Sequence, residues 1–202
     1  MSRVTLAHGA GGKAMRDLVT GMVLAQFGNP LLSPLEDQAR IAMDSLAAHG
    51  DRLAFTTDSF VVDPLEFPGG DISRPAVFGT VNDLAVSGAR PLYLSCALIL
   101  EEGLELALLE RMLGSMKEAA REAGVSIVTG DIKVVQRGAA DKLFINTAGI
   151  GVVPAGVEVG AHRAAPGDVV IVNGHLGDHG AAILQARGEL ALSAAIASDC
   201  QS

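Results

Sequence analysis

The apolar positions change period several times along the chain, and each change marks an element. Met15, Leu18, Val19, Met22 and Val23 fall at helical spacing and predict an amphipathic helix behind a glycine-rich start at residues 8–12 (HGAGG). Asn29 and Pro30 break that pattern, and the chain reads as irregular through Asp37 to the turn at His49, Gly50 and Asp51. Residues 53–62 are β-branched and aromatic, a strand interrupted by Thr56, Thr57, Asp58 and Ser59. Pro64 and residues 68–70 predict a loop, with Ser73 placed to cap the next helix. In that helix Val77, Phe78, Val81, Leu84 and Ala85 form the buried face, while Gly79, Asp83 and Ser87 stack on the other. Residues 92–100 predict a second strand. Leu106, Leu109, Met112, Leu113, Met116, Ala120 and Ala123 predict a long helix closed by Gly124.

Residues 125–135 alternate informatively. Thr129, Asp131 and Lys133 share one face, and Val128, Ile132 and Val134 the other. A strand at 143–153 follows, with Gly149 and Gly151 expected to let another backbone approach closely. The order strand, helix, strand, helix, strand, strand predicts an α/β (α+β) domain over residues 1–154. Residues 154–166 read as a linker, 169–172 as a new strand, and 177–180 as the opening of a short helix. Residues 155–202 are too few for a second core, so the expectation is a complete N-terminal domain and the beginning of a truncated C-terminal one.

Composition narrows the function. With 202 residues, nearly half of them apolar, the chain has material for a good core. A net charge of −8 argues against nucleic-acid binding, because no basic stripe is available. A nucleotide remains compatible if a metal cation neutralises its phosphates. Cys96 and Cys200 are the only cysteines, which fits a reducing cytoplasm better than a disulfide framework. No apolar run suits a signal peptide or a membrane span, so a cytoplasmic location without membrane contact is expected.

The candidate chemistry is acidic. Asp83 stands between two small residues on its helix face, and Gly79 clears the turn before it at a cost of about 1 kcal/mol against alanine. Alone, that segment reads as an amphipathic helix with a solvated carboxylate. Asp37, Asp58 and Asp131, at loop or strand positions, change that picture. Gly9, Gly11 and Gly12 precede a helix start and can offer backbone N–H groups to an anion, although no Walker lysine closes the loop. Lys133 beside Asp131 is either a surface ion pair, worth little, or a cation for phosphate oxygens. His175 and His179 are four apart but lack a metalloprotease glutamate.

Together the motifs HGAGG (8–12), TDSFVVD (57–63), FPGG (67–70), GTVNDLAVSGA (79–89), ILEEG (99–103), TGDIKVV (129–135) and FINTAG (144–149) closely resemble the hydrogenase maturation HypE family. The resemblance extends to GDHG (177–180) and SDC (198–200). That family lies within the aminoimidazole ribonucleotide synthetase-like (PurM-like) superfamily. The resemblance implies a PurM-like N-terminal domain with a mixed four-stranded sheet covered by helices, which pairs with a second copy so that two sheets form a barrel. It implies ATP-dependent dehydration of a carbamoyl group on a C-terminal cysteine to a thiocyanate, the source of cyanide for a nickel-iron hydrogenase. It also implies ATP and Mg²⁺ as cofactors, with the carbamoyltransferase HypF and a HypC–HypD scaffold complex as partners. Carried over by motif, Asp58, Asp83 and Asp131 would bind metal. Gly9, Gly11, Gly12, Asp37, Asn82 and Lys133 would join them around the nucleotide, with Lys133 in the catalytic role. The chain departs from the family pattern at Ile132, where threonine is usual, on the strand face away from Asp131. Cys200 does not correspond to the terminal cysteine, so the chain alone is expected to lack the reacting thiol. Rival readings are a thiamine-phosphate kinase-like enzyme, which leaves FPGG and ILEEG unexplained, and a non-catalytic module that dimerises and docks partners. Selenophosphate synthetase would require a cysteine or selenocysteine and a lysine near the first glycine loop, where this chain has Ala7 and His8.

Overall fold

The computed structural model describes residues 2–190 and 194–201, so Met1 and Ser202, the outer ends of the two expected stretches, lie outside it. A 3₁₀ turn at Leu6–Gly9 leads into α1 (Lys13–Leu18), a π-helical turn at Val19–Val23 and α2 (Leu24–Phe27). The single predicted helix is thus present with a widened turn in its middle. Asn29 ends it, its side-chain oxygen accepting the N–H groups of Leu31 and Leu32. The stretch expected to be irregular contains a short helix, α3 (Met43–Ala47), which buries Leu46.

β1 (Arg52–Phe60) follows, then a two-residue-per-arm hairpin, β2 (Glu66–Phe67) and β3 (Gly70–Asp71), where a plain loop was expected. α4 (Ser73–Ala85) starts one residue earlier than a Ser73 cap would allow. The Asp71 carboxylate instead accepts the Ser73 N–H at 2.8 Å, and the Ser73 hydroxyl is buried without a partner among the described residues. An acid before a helix start does the capping as well as a hydroxyl and suits the positive end of the helix dipole. β4 (Arg90–Glu101), α5 (Leu106–Ala123), β5 (Ser126–Val135) and β6 (Leu143–Val153) complete the layer, and Gly124 closes α5 in the left-handed conformation. Glu101 ties the β5–β6 connection down by accepting the N–H groups of Gly138 and Lys142. These two bonds hold its carboxyl below the usual glutamate value.

The sheet order is β1-β6-β4-β5. β1/β6 and β6/β4 are antiparallel, while β4/β5, joined through α5, is parallel. The predicted mixed four-stranded sheet is therefore present. One face carries α4 and α5, with Leu94, Leu100, Leu113, Met116, Leu143 and Ile145 fully buried between the layers. Ile132 joins that core, as its strand face requires. The other face is uncovered and partly apolar: Leu53 is 58% exposed, Phe55 71% and Ile99 41%.

After Val153 the chain leaves the sheet. Residues 169–172, expected to form a strand, are exposed and unpaired, because a lone apolar segment has no ladder to join. α6 (Asp178–Ala186) packs Ala182 and Ile183 inward, and His179 meets the Phe67 ring edge-on at 5.3 Å. No helix among the described residues is long and apolar enough to cross a membrane.

Candidate functional site

β1 and α4 run alongside each other in opposite directions. Thr56 Oγ1 donates to Asp83 Oδ2 at 3.1 Å. Two residues further along β1, the Asp58 carboxylate lies 3.6 Å from where a Cβ on Gly79 would sit. The strand repeat of about 7 Å per two residues and the helix pitch of about 5.4 Å nearly match. The two exposed acids therefore stand about one helical turn apart, with Gly79 at the level of Asp58. Gly79 is closely approached by the Phe60 ring, 3.0 Å from where its Cβ would sit, so an added methyl would have to shift that ring. Asp58 is oriented by accepting the Ser59 N–H at 2.7 Å. Ser87 does not belong to this face: α4 has already ended, and its hydroxyl donates to Leu84 O. Asn82 turns toward the C-terminal segment and donates to Gln201 O at 3.2 Å.

Beneath Asp58 lies a buried polar contact that sequence reasoning missed. Thr147, the cross-strand partner of Asp58, donates to Ala76 O at 2.8 Å and shares a hydrogen bond with Thr80 Oγ1 at 2.6 Å. Its signal was a threonine at a core-facing position of an apolar strand. On the opposite sheet face Asn146, also missed, donates to Asp58 O and Ser59 Oγ.

The other edge of the sheet holds a cavity of about 490 Å³, within the range of small-molecule sites. Gly11, Gly12 and Arg16 line it from the N-terminal side, Glu36 and Asp37 from the loop, and Thr129, Gly130 and Asp131 from β5. Its apolar floor includes Leu98, Ile127 and Cys96, whose thiol is pushed up to about 12 by burial and so stays protonated. Gly9 has another task. A Cβ there would meet Val134 N at 2.7 Å, so this glycine lets the N-terminal loop lie on β5. Lys133 and Asp131 share a face as expected, with Nζ 2.8 Å from Oδ2, and both are exposed.

Register decides which acids can meet. Asp131 pairs with Ala97, Ala97 with Asn146, and Asn146 with Ser59, so Asp131 and Ser59 lie in one row on the open face. Asp58, next to Ser59, faces α4 instead. Three strand spacings, roughly 14 Å, separate the rows' ends. A single chain therefore brings Asp58 and Asp83 together, and places Gly11, Gly12, Asp37 and Asp131 around the cavity, but does not join the two sets. Among the described residues no group of three His, Cys, Asp or Glu side chains can hold a metal ion. His175 is exposed, while His179 hydrogen-bonds Ser198 Oγ at 3.0 Å, with Cys200 beyond.

Residues 36–153, more than half of the chain, match the family model of the AIR synthase related protein, N-terminal domain. The chain belongs to this family. The likeness to HypE, read from the motifs, runs over nearly the whole chain in the curated relatives. It is 63% identical over 198 residues to the carbamoyl dehydratase HypE of Rhodobacter capsulatus, covering 98% of this chain and 57% of that protein. A crystal structure of the hydrogenase maturation protein HypE in complex with ATP is 51% identical with a TM-score of 0.91, covering 98% of this chain and 57% of that one. The structure of a HypE–HypF complex matches at 47% identity and a TM-score of 0.71, over 90% and 57% of the two chains. A thiamine-monophosphate kinase from Stenotrophomonas maltophilia is more distant, 27% identical with a TM-score of 0.52, over 71% and 44%. The chain spans somewhat more than half the length of the curated HypE relatives it matches.

Proposed function

We propose that this AIR synthase related domain is the nucleotide-binding part of an ATP-dependent carbamoyl dehydratase that converts a cysteine S-carboxamide to a thiocyanate during nickel-iron hydrogenase maturation. The observation that carries the reading is the 63% identity to a carbamoyl dehydratase across nearly the whole chain. The likeness to a thiamine-monophosphate kinase is far weaker, which disfavours that rival. Residues 1–154 form the nucleotide and dimer domain on this reading, and 155–202 begin a second one. The reaction consumes the thiocarboxamide and ATP and yields the thiocyanate, ADP and inorganic phosphate. Phosphorylation turns the amide oxygen into a leaving group, so the water removed departs within phosphate.

The donor set fits Mg²⁺, which takes one or two carboxylates and keeps waters and phosphate oxygens for its other positions. Asp58 and Asp83, both exposed on neighbouring elements, would hold it. Bound there, Mg²⁺ would neutralise the polyphosphate and let the acids approach it. Gly11 and Gly12 would meet the nucleotide at the cavity, and Lys133 would meet phosphate oxygens or the activated amide. A second copy docked on the open sheet face would cover Leu53, Phe55 and Ile99 and lie against the face that carries Asp131 and Lys133. HypF is the partner that the HypE–HypF complex suggests for this chain, with HypC–HypD expected from the family alone and a cytoplasmic location fitting all three.

Two outcomes follow from this reading. Asp83→Asn removes a negative ligand while keeping shape. Mg-ATP affinity is expected to fall about tenfold, equivalent to roughly 1.4 kcal/mol, by calorimetry on a protein carrying both domains. Unchanged affinity would make Asp83 a solvated helix residue. Phe55→Asp places a charge in the middle of the open face and is expected to turn a dimer into a monomer in sedimentation at micromolar concentration. A monomeric wild type would remove the dimer from the reading.

The open apolar face would serve dimer formation equally in the rival reading, a non-catalytic module that dimerises and docks partners, and does not favour it. The assay that separates the two is ATP-dependent thiocyanate formation on the carbamoylated protein, with both domains and a terminal cysteine. Turnover supports the dehydratase, and its complete absence supports the module.

A further inference from the structure

Thr80 and Thr147 are fully buried, and their hydroxyls touch at 2.6 Å. Among the described residues only Ser73 joins them as a fully buried polar side chain in a core that is otherwise apolar, and either threonine could be valine at almost the same volume. Their position explains why they are not. Thr147 is the registered neighbour of Asp58 on the α4 side of the sheet. Thr80 follows Gly79, which faces Asp58, and precedes Asp83 by three residues, so both lie on adjoining parts of α4. Thr147 also donates to Ala76 O, one turn before Thr80. Two hydrogen bonds from one strand residue thus fix both the height and the rotation of α4 against β6. Gly149, two residues along, lets the helix come close enough for this: a Cβ there would stand 2.8 Å from Thr80 Cγ2 and 2.9 Å from Leu84 Cδ1. β1 is registered on β6 next to Asp58, where Thr57 Oγ1 donates to Thr147 O at 3.1 Å. The carboxylates of Asp58 and Asp83 sit on different elements, and Thr147 is bonded to both, below the exposed Thr56–Asp83 contact that joins them directly.

We propose that the Thr80–Thr147 hydroxyl pair is the positioning device that sets the separation of Asp58 and Asp83 for joint capture of a magnesium–nucleotide complex. Apolar packing alone allows a helix to slide or roll on a sheet by a fraction of a residue, whereas a buried hydrogen bond is directional and costs free energy when broken. The pair touches no ligand and acts only through the two acids. This inference rests on the reading of Asp58 and Asp83 as the metal-facing acids.

The test compares Thr80→Val/Thr147→Val with the unsubstituted protein and with Thr147→Ser, on the full chain. Removing both hydroxyls deletes their mutual bond and takes one donor from Ala76 O, a main-chain carbonyl within α4, so the fold is expected to survive with a modestly lowered melting temperature. The readout is the affinity for a non-hydrolysable ATP analogue, measured by calorimetry with and without Mg²⁺. The ratio of the two affinities is expected to fall about tenfold in the double variant, the scale seen when groups that orient metal ligands are lost. The metal-free affinity is expected to stay constant, and Thr147→Ser to keep the full ratio. A double variant with an intact ratio overturns the proposal, and so does a Thr147→Ser variant whose ratio falls as far as that of valine. If the unsubstituted protein gains nothing from Mg²⁺, the metal reading of Asp58 and Asp83 fails and takes this proposal with it, an outcome distinct from the other two.

Discussion

Lys133→Ala is expected to lower ATP-dependent thiocyanate formation by about one to three orders of magnitude, the range for removing one charge contact made in a transition state. The ammonium stands on the same face of β5 as Asp131 and only 2.8 Å from its carboxylate. In that position it is a compact point charge presented to solvent, ready to exchange a carboxylate partner for a phosphate oxygen. Loss of the ion pair itself costs little, because exposed pairs contribute about 0–1 kcal/mol. The melting temperature is therefore the control: turnover falls while stability holds. Lys133→Arg restores only part of the rate, since a planar fork delivers its charge along different directions from an ammonium. The assay requires a protein with both domains and a carbamoylated terminal cysteine. Normal turnover in Lys133→Ala would reduce Lys133 to a surface residue and move the catalytic cation to another part of the protein.

The second large effect is expected at Gly130, in the middle of TGDIK. β4 and β5 change register between Leu94 and Ser95, and there the β5 backbone presses so closely on β4 that a Cβ on Gly130 would fall 2.0 Å from the carbonyl oxygen of Cys96. No rotamer relieves that contact, because the obstacle is main chain. Gly130→Ala must push an edge strand away from its parallel neighbour. The cost is expected at the upper end of the roughly 1–3 kcal/mol typical of overpacking. For a chain of this size that lowers the melting temperature by roughly 5–10 °C. The same shift would displace Thr129 and Asp131, which line the cavity on either side of Gly130. Gly12→Ala is the comparison, because its added Cβ meets nothing within 4 Å. Equal melting temperatures for the two variants would show that β5 yields more easily than its backbone contact implies.

Elements with a strong period were legible in the sequence almost to the residue. The apolar stripe ending at Ala123 with a glycine behind it gave α5, and the run from Leu143 to Val153 gave β6, because burial on one stripe or both faces leaves a pattern that no loop imitates. Alternation also placed Asp131 and Lys133 on a common face. What alternation does not carry is the identity of the neighbouring strand. Asp58, Asp83 and Asp131 read as one cluster in the motifs, yet β6 and β4 lie between the strands of Asp58 and Asp131. The glycines show the same limit. Gly151 does admit a backbone, with Arg90 O 2.8 Å from its Cβ position, but Gly149 makes room for the side chains of Thr80, Leu84 and Leu94. Gly130, the tightest of the three, gave no sign, since a strand glycine beside an acid reads equally well as an ordinary turn or bulge. Residues 169–172 have strand propensity without a strand, because propensity is realised only when a ladder is available.

The placement of β1 at the sheet edge beside β6 sets a timetable for synthesis. Thr57 finds its partner Thr147 only 90 residues later in the chain. At about 5–20 residues per second on a ribosome, β1 waits roughly 5–20 s before that neighbour exists. During the wait Leu53 and Phe55 travel with an unpaired strand backbone, while β4, α5 and β5, contiguous in sequence, can already assemble as a local unit. A nascent chain interrupted before Leu143 has no strand on which β1 can settle, and Asp58 then has nothing to hold it opposite α4.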